Sequence, residues 1–291
     1  MMQIDLRNRL LADIQSGSDE AIMSAAGQLF ELGEYGSPKG TYLLSGGKAA
    51  LRLGYWMDAA ILLFNGLHTA EPDTLVRAEI LVNRAVACSR VGFYRDAVQA
   101  ATEFLDQIDS LPELARKWAA NAHHAMGFAY DRLEQYSEAA QHNGLAAEMY
   151  TNSIGRSNAM CDLAYSLAMG GNAADADAIL SRIDLTDLSG LPLFHYYVTA
   201  VIVDFALARY ANGMATTKKA EELVRGSDDA WGSPLAELRY WKARCMWELG
   251  DLIRAAATGF QAAMLAERHW NRTLCDRATA WLAEINGKWG N

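Results

Sequence analysis

Proline is scarce in this chain, five in 291 residues, and most of the five sit where a helix would begin. Cysteine is scarcer. Cys88, Cys161, Cys245 and Cys275 are widely scattered and fit no metal-ligand spacing, which favours buried free thiols in a reducing compartment. No run approaches the roughly 18 uncharged apolar residues that a membrane span needs. The opening MMQIDLRNRLLADIQ carries charge throughout and has no apolar core of the kind a secretory leader requires, so a cytoplasmic location is expected. Basic charge is also short: 26 Lys and Arg face 35 Asp and Glu, a formal charge of −9. That balance disfavours nucleic acid, whose non-specific affinity comes from neutralising phosphates. Strand signals are nearly absent.

What is present is helix. Hydrophobic residues make up 51% of the chain, enough for a sizeable core. Pro72, Pro112 and Pro192 precede or open long amphipathic stretches. Ser233-Pro234 reads as an N-cap followed by proline at the first helical position, where its missing N–H costs nothing. About three-quarters helix, against a base rate near one third, requires an architectural reason, and repetition supplies it. GFYRDAV, Gly92 to Val98, has relatives in LGYWMDAA, LEQYSEAA and LGDLIRAA, ending at Ala60, Ala140 and Ala256.

The turn positions set a register. Gly54, Gly92, Gly171, Gly213 and Gly250 serve as anchors, with Glu134 in the equivalent place of the third unit. The steps between them are 38, 42, 37, 42 and 37 residues. Seven residues before each anchor stands Gly47, Ala85, Gly127, Ala164, Ala206 or Ala243. Five after comes Ala59, Ala97, Ala139, Ala176 or Ala255. The fifth unit places Lys218 in that slot and Ala220 two residues on, as a longer turn would. Small residues at both slots let two antiparallel helices approach closely, and a glycine at the turn supplies the positive φ that ends the first. One pair cannot bury both of its apolar sides, so pairs stack.

The small residue, glycine turn, aromatic and alanine resemble the tetratricopeptide repeat. The third unit carries it best, in Gly127, Tyr130, Tyr136, Ala139 and Ala146. Two departures stand out. The units average about 39 residues instead of 34, and the hallmark first-helix tryptophan is replaced by Leu43, Leu81, His123 or Met160. The longer step is similar to that of bacterial peptide-sensing regulators. The resemblance covers roughly residues 40 to 268. It implies an all-α fold, a right-handed superhelix of stacked antiparallel helix pairs with about 15 helices.

The expected organisation is one continuous solenoid. Residues 1–36 form a capping pair with helices near 3–16 and 19–32, 37–268 form six repeats, and 269–291 form a capping helix and tail. Trp270, Leu274, Ala278, Leu282 and Ile285 mark one face of the last helix, with Asn286-Gly287 as its stop. SRIDLTDLSGLP (181–192) and RGSDDAWGSP (225–234) read as the longest loops.

Catalytic signals are weak. GTYLLSGGKAA, Gly40 to Ala50, is not a P-loop: six residues, not four, precede the Gly-Lys, Ala49 replaces the hydroxyl residue, and the segment is a first helix. Gly46 and Gly47 read better as a close helix contact. His123 and His124 project about 100° apart on a helix and do not chelate one ion by themselves. His142 and His195 lie in other elements. No metal, cofactor or catalytic residue is expected, and an enzyme or metal protein using the His123/His124 region is the least favoured alternative.

The stronger functional signal lies on one face of the first helices, which in stacks of this kind line the concave side. Ten residues before the anchors stand Leu44, Val82, His124, Cys161, Val203 and Tyr240. Six before stand Lys48, Val86, Phe128, Tyr165, Leu207 and Arg244. Three before stand Leu51, Ser89, Asp131, Ala168, Tyr210 and Trp247, with Arg52, Arg90 and Arg132 one residue further on. Asn83, Asn121 and Asn158 add amides, which the resemblance implies would bind an extended peptide backbone. Arginine forks suit carboxylates, and aromatics bury much area at low entropic cost. The candidate groove is thus Lys48, Arg52, Asn83, Arg90, Asn121, His124, Phe128, Arg132, Asn158, Tyr165, Tyr210, Tyr240, Arg244 and Trp247. The expected function is that of a non-enzymatic scaffold for a protein or peptide with an acidic segment or free carboxylate. A peptide-gated regulator is the alternative. Homodimerisation through a tryptophan-rich end (Trp231, Trp241, Trp247, Trp270, Trp281, Trp289) is a further option.

Overall fold

In the computed structural model the described residues are 2–71, 74–225, 228–269 and 271–289, and every regular element among them is helical. The chain divides into two compact units, Met1–Met149 and Tyr150–Asn291. The first holds α1 (Met2–Ser16), α2 (Asp19–Glu31), α3 (Thr41–Leu53), α4 (Trp56–Thr69), α5 (Leu75–Val91), α6 (Tyr94–Asp106), the single turn α7 (Glu113–Arg116), α8 (Ala119–Arg132) and α9 (Tyr136–Met149). The second holds α10 (Ser153–Met169), α11 (Ala173–Leu180), α12 (Gly190–Ala206), α13 (Tyr210–Val224), α14 (Asp228–Glu248), α15 (Leu252–Arg268) and α16 (Arg272–Trp289).

Local chemistry explains where the helices start and stop. Ser18, Thr74 and Asn152 each accept a hydrogen bond from the backbone N–H three residues on, capping α2, α5 and α10. The first helix of each pair ends at a residue of positive φ: Gly54 at 78°, Gly92 at 100°, Glu134 at 59°, Gly171 at 91°, Ala208 at 56° and Gly250 at 85°. This corrects the fifth unit. Its turn is Ala208, and Gly213 lies inside α13. In the corrected register, five residues past Ala208 comes Gly213, a small residue where the other pairs have alanine. Seven before it stands Val201, fully buried, in place of Ala206. Tyr210 and Leu207, assigned to the first-helix face, therefore lie at the start of α13 and in the turn.

Small residues do hold the pairs together. A Cβ on Gly47 would come within 2.5 Å of Leu63 on α4, and one on Gly46 would overlap Ala26 on α2. α3 is thus flanked closely on two sides. Ala59, Ala97, Ala139, Ala176 and Ala255 are fully buried at the matching slot of the second helices. In the first unit α3, α5 and α8 pack side by side, and α4 and α6 each lean on the next first helix. In the second unit α10, α12 and α14 do the same, flanked by α11 and α13. The result in each unit is a continuous layer of first helices with second helices laid outside it.

Three further expectations change. The break foreseen at Ser233-Pro234 is made by Gly232, at φ 20° and ψ −103°, and residues 228–231 before it are helical, so most of 225–234 is not a loop. Asn286-Gly287 does not stop the last helix, which runs to Trp289. Trp270 and Pro72 lie outside the described residues. Two second helices keep an apolar outer stripe: Met57, Ile61 and Phe64 on α4, and Ile253, Phe260 and Met264 on α15, Ile253 being 80% exposed. The same slots of α6 hold Arg95, Gln99 and Thr102.

Candidate binding surface

The first-helix layers of the two units present the predicted side chains in three different conditions. Some are salt-bridged within the chain. Lys48 Nζ lies 2.5 Å from Glu79 Oε1, joining α3 to α5. Arg52 grips Asp19 at the start of α2 with a bidentate fork, Nε to Oδ2 at 3.0 Å, and this pairing holds the Asp19 carboxyl below its ordinary range. Asn83 donates to the Glu79 carbonyl of its own helix at 2.8 Å. Asn121 is exposed and Asn158 half-buried, with His124 also half-buried.

Others have become core. Tyr240 is 1% exposed and Tyr165 8%. Leu44, Val82 and Cys161, in the same slot as Tyr240, are buried with it. His124, in the same slot, is only half-buried. Tyr165 keeps a polar contact, its hydroxyl accepting from Arg277 at 3.4 Å.

The third condition is an arginine stacked on aromatic rings. In the first unit the Arg90 guanidinium sits 4.6 Å from the centroid of Phe128 and that of Arg132 sits 4.9 Å from it. One ring on α8 thus carries two cations, one from α5 and one from its own helix. In the second unit Arg244 lies 4.7 Å from Phe205 and within 6.0 Å of Tyr240, Trp241 and Trp281. Trp247 stacks edge-on to Trp281 at 6.3 Å. Sequence spacing found Arg244 and Trp247. It missed Phe205, hidden by the shifted fifth turn, and Trp281, which comes from α16.

The histidines pair differently from the sequence reading. His123 Nδ1 lies 2.9 Å from His142 Nδ1 on α9, and Tyr130 stacks on His142 at 5.5 Å. Burial, with the neighbouring His142, pushes His123 down to about 4, and burial also lowers His142. His195 Nε2 meets Asp162 Oδ1 at 3.0 Å. No group of three or more His, Cys, Asp or Glu side chains able to hold a metal is found among the described residues. Cys245 is pushed up to about 12, chiefly by burial, and burial raises Cys88 and Cys161 as well, so these three thiols are poor nucleophiles. No helix among the described residues is long and apolar enough to cross a membrane.

The sequence matches no protein-family model and no curated protein. Solved structures do resemble it. A tetratricopeptide repeat protein from Parabacteroides merdae aligns over 94% of this chain and 98% of its own, with 16% identity and a TM-score of 0.62. The apo form of RapI aligns over 98% and 85%, with 12% identity and a TM-score of 0.58. A Rap protein complexed with competence and sporulation factor aligns over 98% and 85%, with 11% identity and a TM-score of 0.57. With its helix pairs, positive-φ turns and small-residue contacts, this chain has the fold of a tetratricopeptide-like helical repeat protein.

Proposed function

We propose that the chain is a non-enzymatic binding protein that takes a peptide or protein segment on the first-helix layer of a unit. The observation that carries this reading is a guanidinium–aromatic cluster on each unit's own layer, Arg90, Phe128 and Arg132 in the first and Arg244 with its rings in the second. Stacked arginines are held in place at little entropic cost and offer planar forks to carboxylates. The partner accordingly carries negative charge. The likeness to a Rap protein complexed with competence and sporulation factor supports a binding role.

Capture from lysate tests the reading. The intact chain retains one stoichiometric partner, and the triple variant Arg90→Gln, Phe128→Ala, Arg132→Gln loses most of it. Equal capture by both would refute it. If the retained species is a small peptide and the chain compacts on binding it, measured by small-angle scattering, the protein is a ligand-gated regulator within the same surface assignment.

A further inference from the structure

The outer seam of a second helix is set by the residues three, seven, ten and fourteen past its turn, a spacing that keeps to one helical face. On α6 these are Arg95, Gln99, Thr102 and Asp106, and on α9 Ser137, Gln141, Gly144 and Glu148. On α4 they are Met57, Ile61, Phe64 and His68. α4 packs on α3 and α5, and its seam faces away from both. Tyr55, Trp56, Met57, Ile61 and Phe64 are each 38–52% exposed. The Phe64 ring is fixed by the Arg84 guanidinium, 5.3 Å from its centroid, and by His68, edge-on at 4.4 Å. Arg84 in turn reaches Asp96.

We propose that α4 pairs antiparallel with α4 of a second copy of this chain, about a two-fold axis. The seam reads the same from either end. Antiparallel packing sets Ile61 against Phe64 of the second copy and Met57 against its His68, each contact made twice, as a two-fold interface requires. Charge fits as well. Asp58 is the one Asp, Glu, Lys or Arg on α4, and the same packing lays it beside His68 and Asn65 of the second copy, whose N–H groups donate to a carboxylate. The two Asp58 carboxylates sit at opposite ends of the contact. The area is sufficient too. Five large side chains about half exposed, with His68, offer roughly 500 Å² of apolar surface per copy. A standard interface takes about 800 Å² from each partner, a little over half of it apolar. The α15 seam fails the charge condition. Self-pairing there sets Ile253 against Met264 but brings Arg254, which reaches Asp251 at 3.4 Å, towards Arg268 of the second copy. The α4 contact leaves the first-helix layer open and is independent of what that layer binds.

Sedimentation velocity on the intact chain tests the pairing. The chain should run as a dimer with a dissociation constant of about 10 μM or tighter. Ile61→Asp places a carboxylate at the apolar centre of the contact and should weaken association at least about a hundredfold. Ile61 faces solvent in the single chain, so this variant folds, which circular dichroism checks. Asp58→His should weaken the dimer about tenfold. Combining it with His68→Asp exchanges the two ends of the polar pair and should restore association, a recovery specific to the antiparallel register. Ile253→Asp on α15 should leave the dimer unchanged. A chain still monomeric at about 100 μM would overturn the assignment. So would a dimer indifferent to a folded Ile61→Asp, an exchange that recovers nothing, or a dimer lost in Ile253→Asp.

Discussion

Glu134 and Ala208 hold φ angles of 59° and 56°, a region where a Cβ crowds the following carbonyl at a cost of roughly 1–2 kcal/mol. Packing of the pair on either side holds them there. Replacing either with glycine should stabilise the protein by about 1 kcal/mol in thermal denaturation, less the entropy glycine regains on unfolding. Glycines on helices sort the other way. A Cβ at Gly127 would collide with Asn143, which is fully buried and donates to Asp131 at 3.3 Å, so Gly127→Ala should cost about 2–3 kcal/mol. At Gly144 an added Cβ would meet nothing within 4 Å, so Gly144→Ala should gain up to about 1 kcal/mol from helix propensity. Glu134 was legible in the sequence because spacing alone demanded a turn there. Ala208 was not, since nothing in alanine announces a left-handed residue, and Gly213 five positions on was a ready decoy.

At the scale of elements, the clasp between α8 and α9 should be sensitive to acid. His123 and His142 share one hydrogen bond while both are neutral, and protonating His123 places a cation in a half-buried contact beside a second histidine. Because His123 is lowered to about 4 in the folded protein, the unfolded chain binds the proton first as pH falls below the ordinary value near 6.5. The contribution is therefore fully present above about pH 6.5 and is lost progressively as pH falls towards 4. Discounted for partial solvent screening, the loss is about 1–2 kcal/mol. Urea midpoints at pH 7.5 and pH 4.5 should differ accordingly, and His123→Gln should flatten the difference. The pairing was hidden from the sequence because it depends on how two helices face each other, whereas the adjacency of His123 and His124 is visible but leads nowhere. Stop signals misled too. Asn286-Gly287 is a good helix terminator in isolation, yet Ile285 and Trp281 are buried just before it, and the helix continues through.

At the scale of the whole molecule, the pairing of helices and the all-helical class could be read directly, because each rests on a periodicity sampled many times over. The division at Met149 and Tyr150 could not: the register passes across it from Glu134 to Gly171 without a change in pattern. In the candidate surface, the residue types at Arg90, Phe128, Arg132 and Arg244 were visible in the sequence but their stacking was not, and the depth of burial at Tyr165 and Tyr240 depended on interhelical distances that spacing does not encode. A net charge of −9 also bears on binding. An acidic partner must approach against the overall field and be held by local cations, so its affinity should fall as salt screens the short-range pairs. Raising ionic strength from about 0.05 to 0.5 M should weaken retention several-fold, and a partner indifferent to salt would argue for purely apolar docking.

The bare ridge of Ile253, Phe260 and Met264 along α15 has a practical corollary. Apolar side chains displayed in a row to water invite reversible self-adhesion at high concentration and retention on phenyl-type chromatographic media. Writing charge onto that ridge, as in Ile253→Lys with Phe260→Glu, should make the protein more tractable in concentrated solution while leaving its interior untouched.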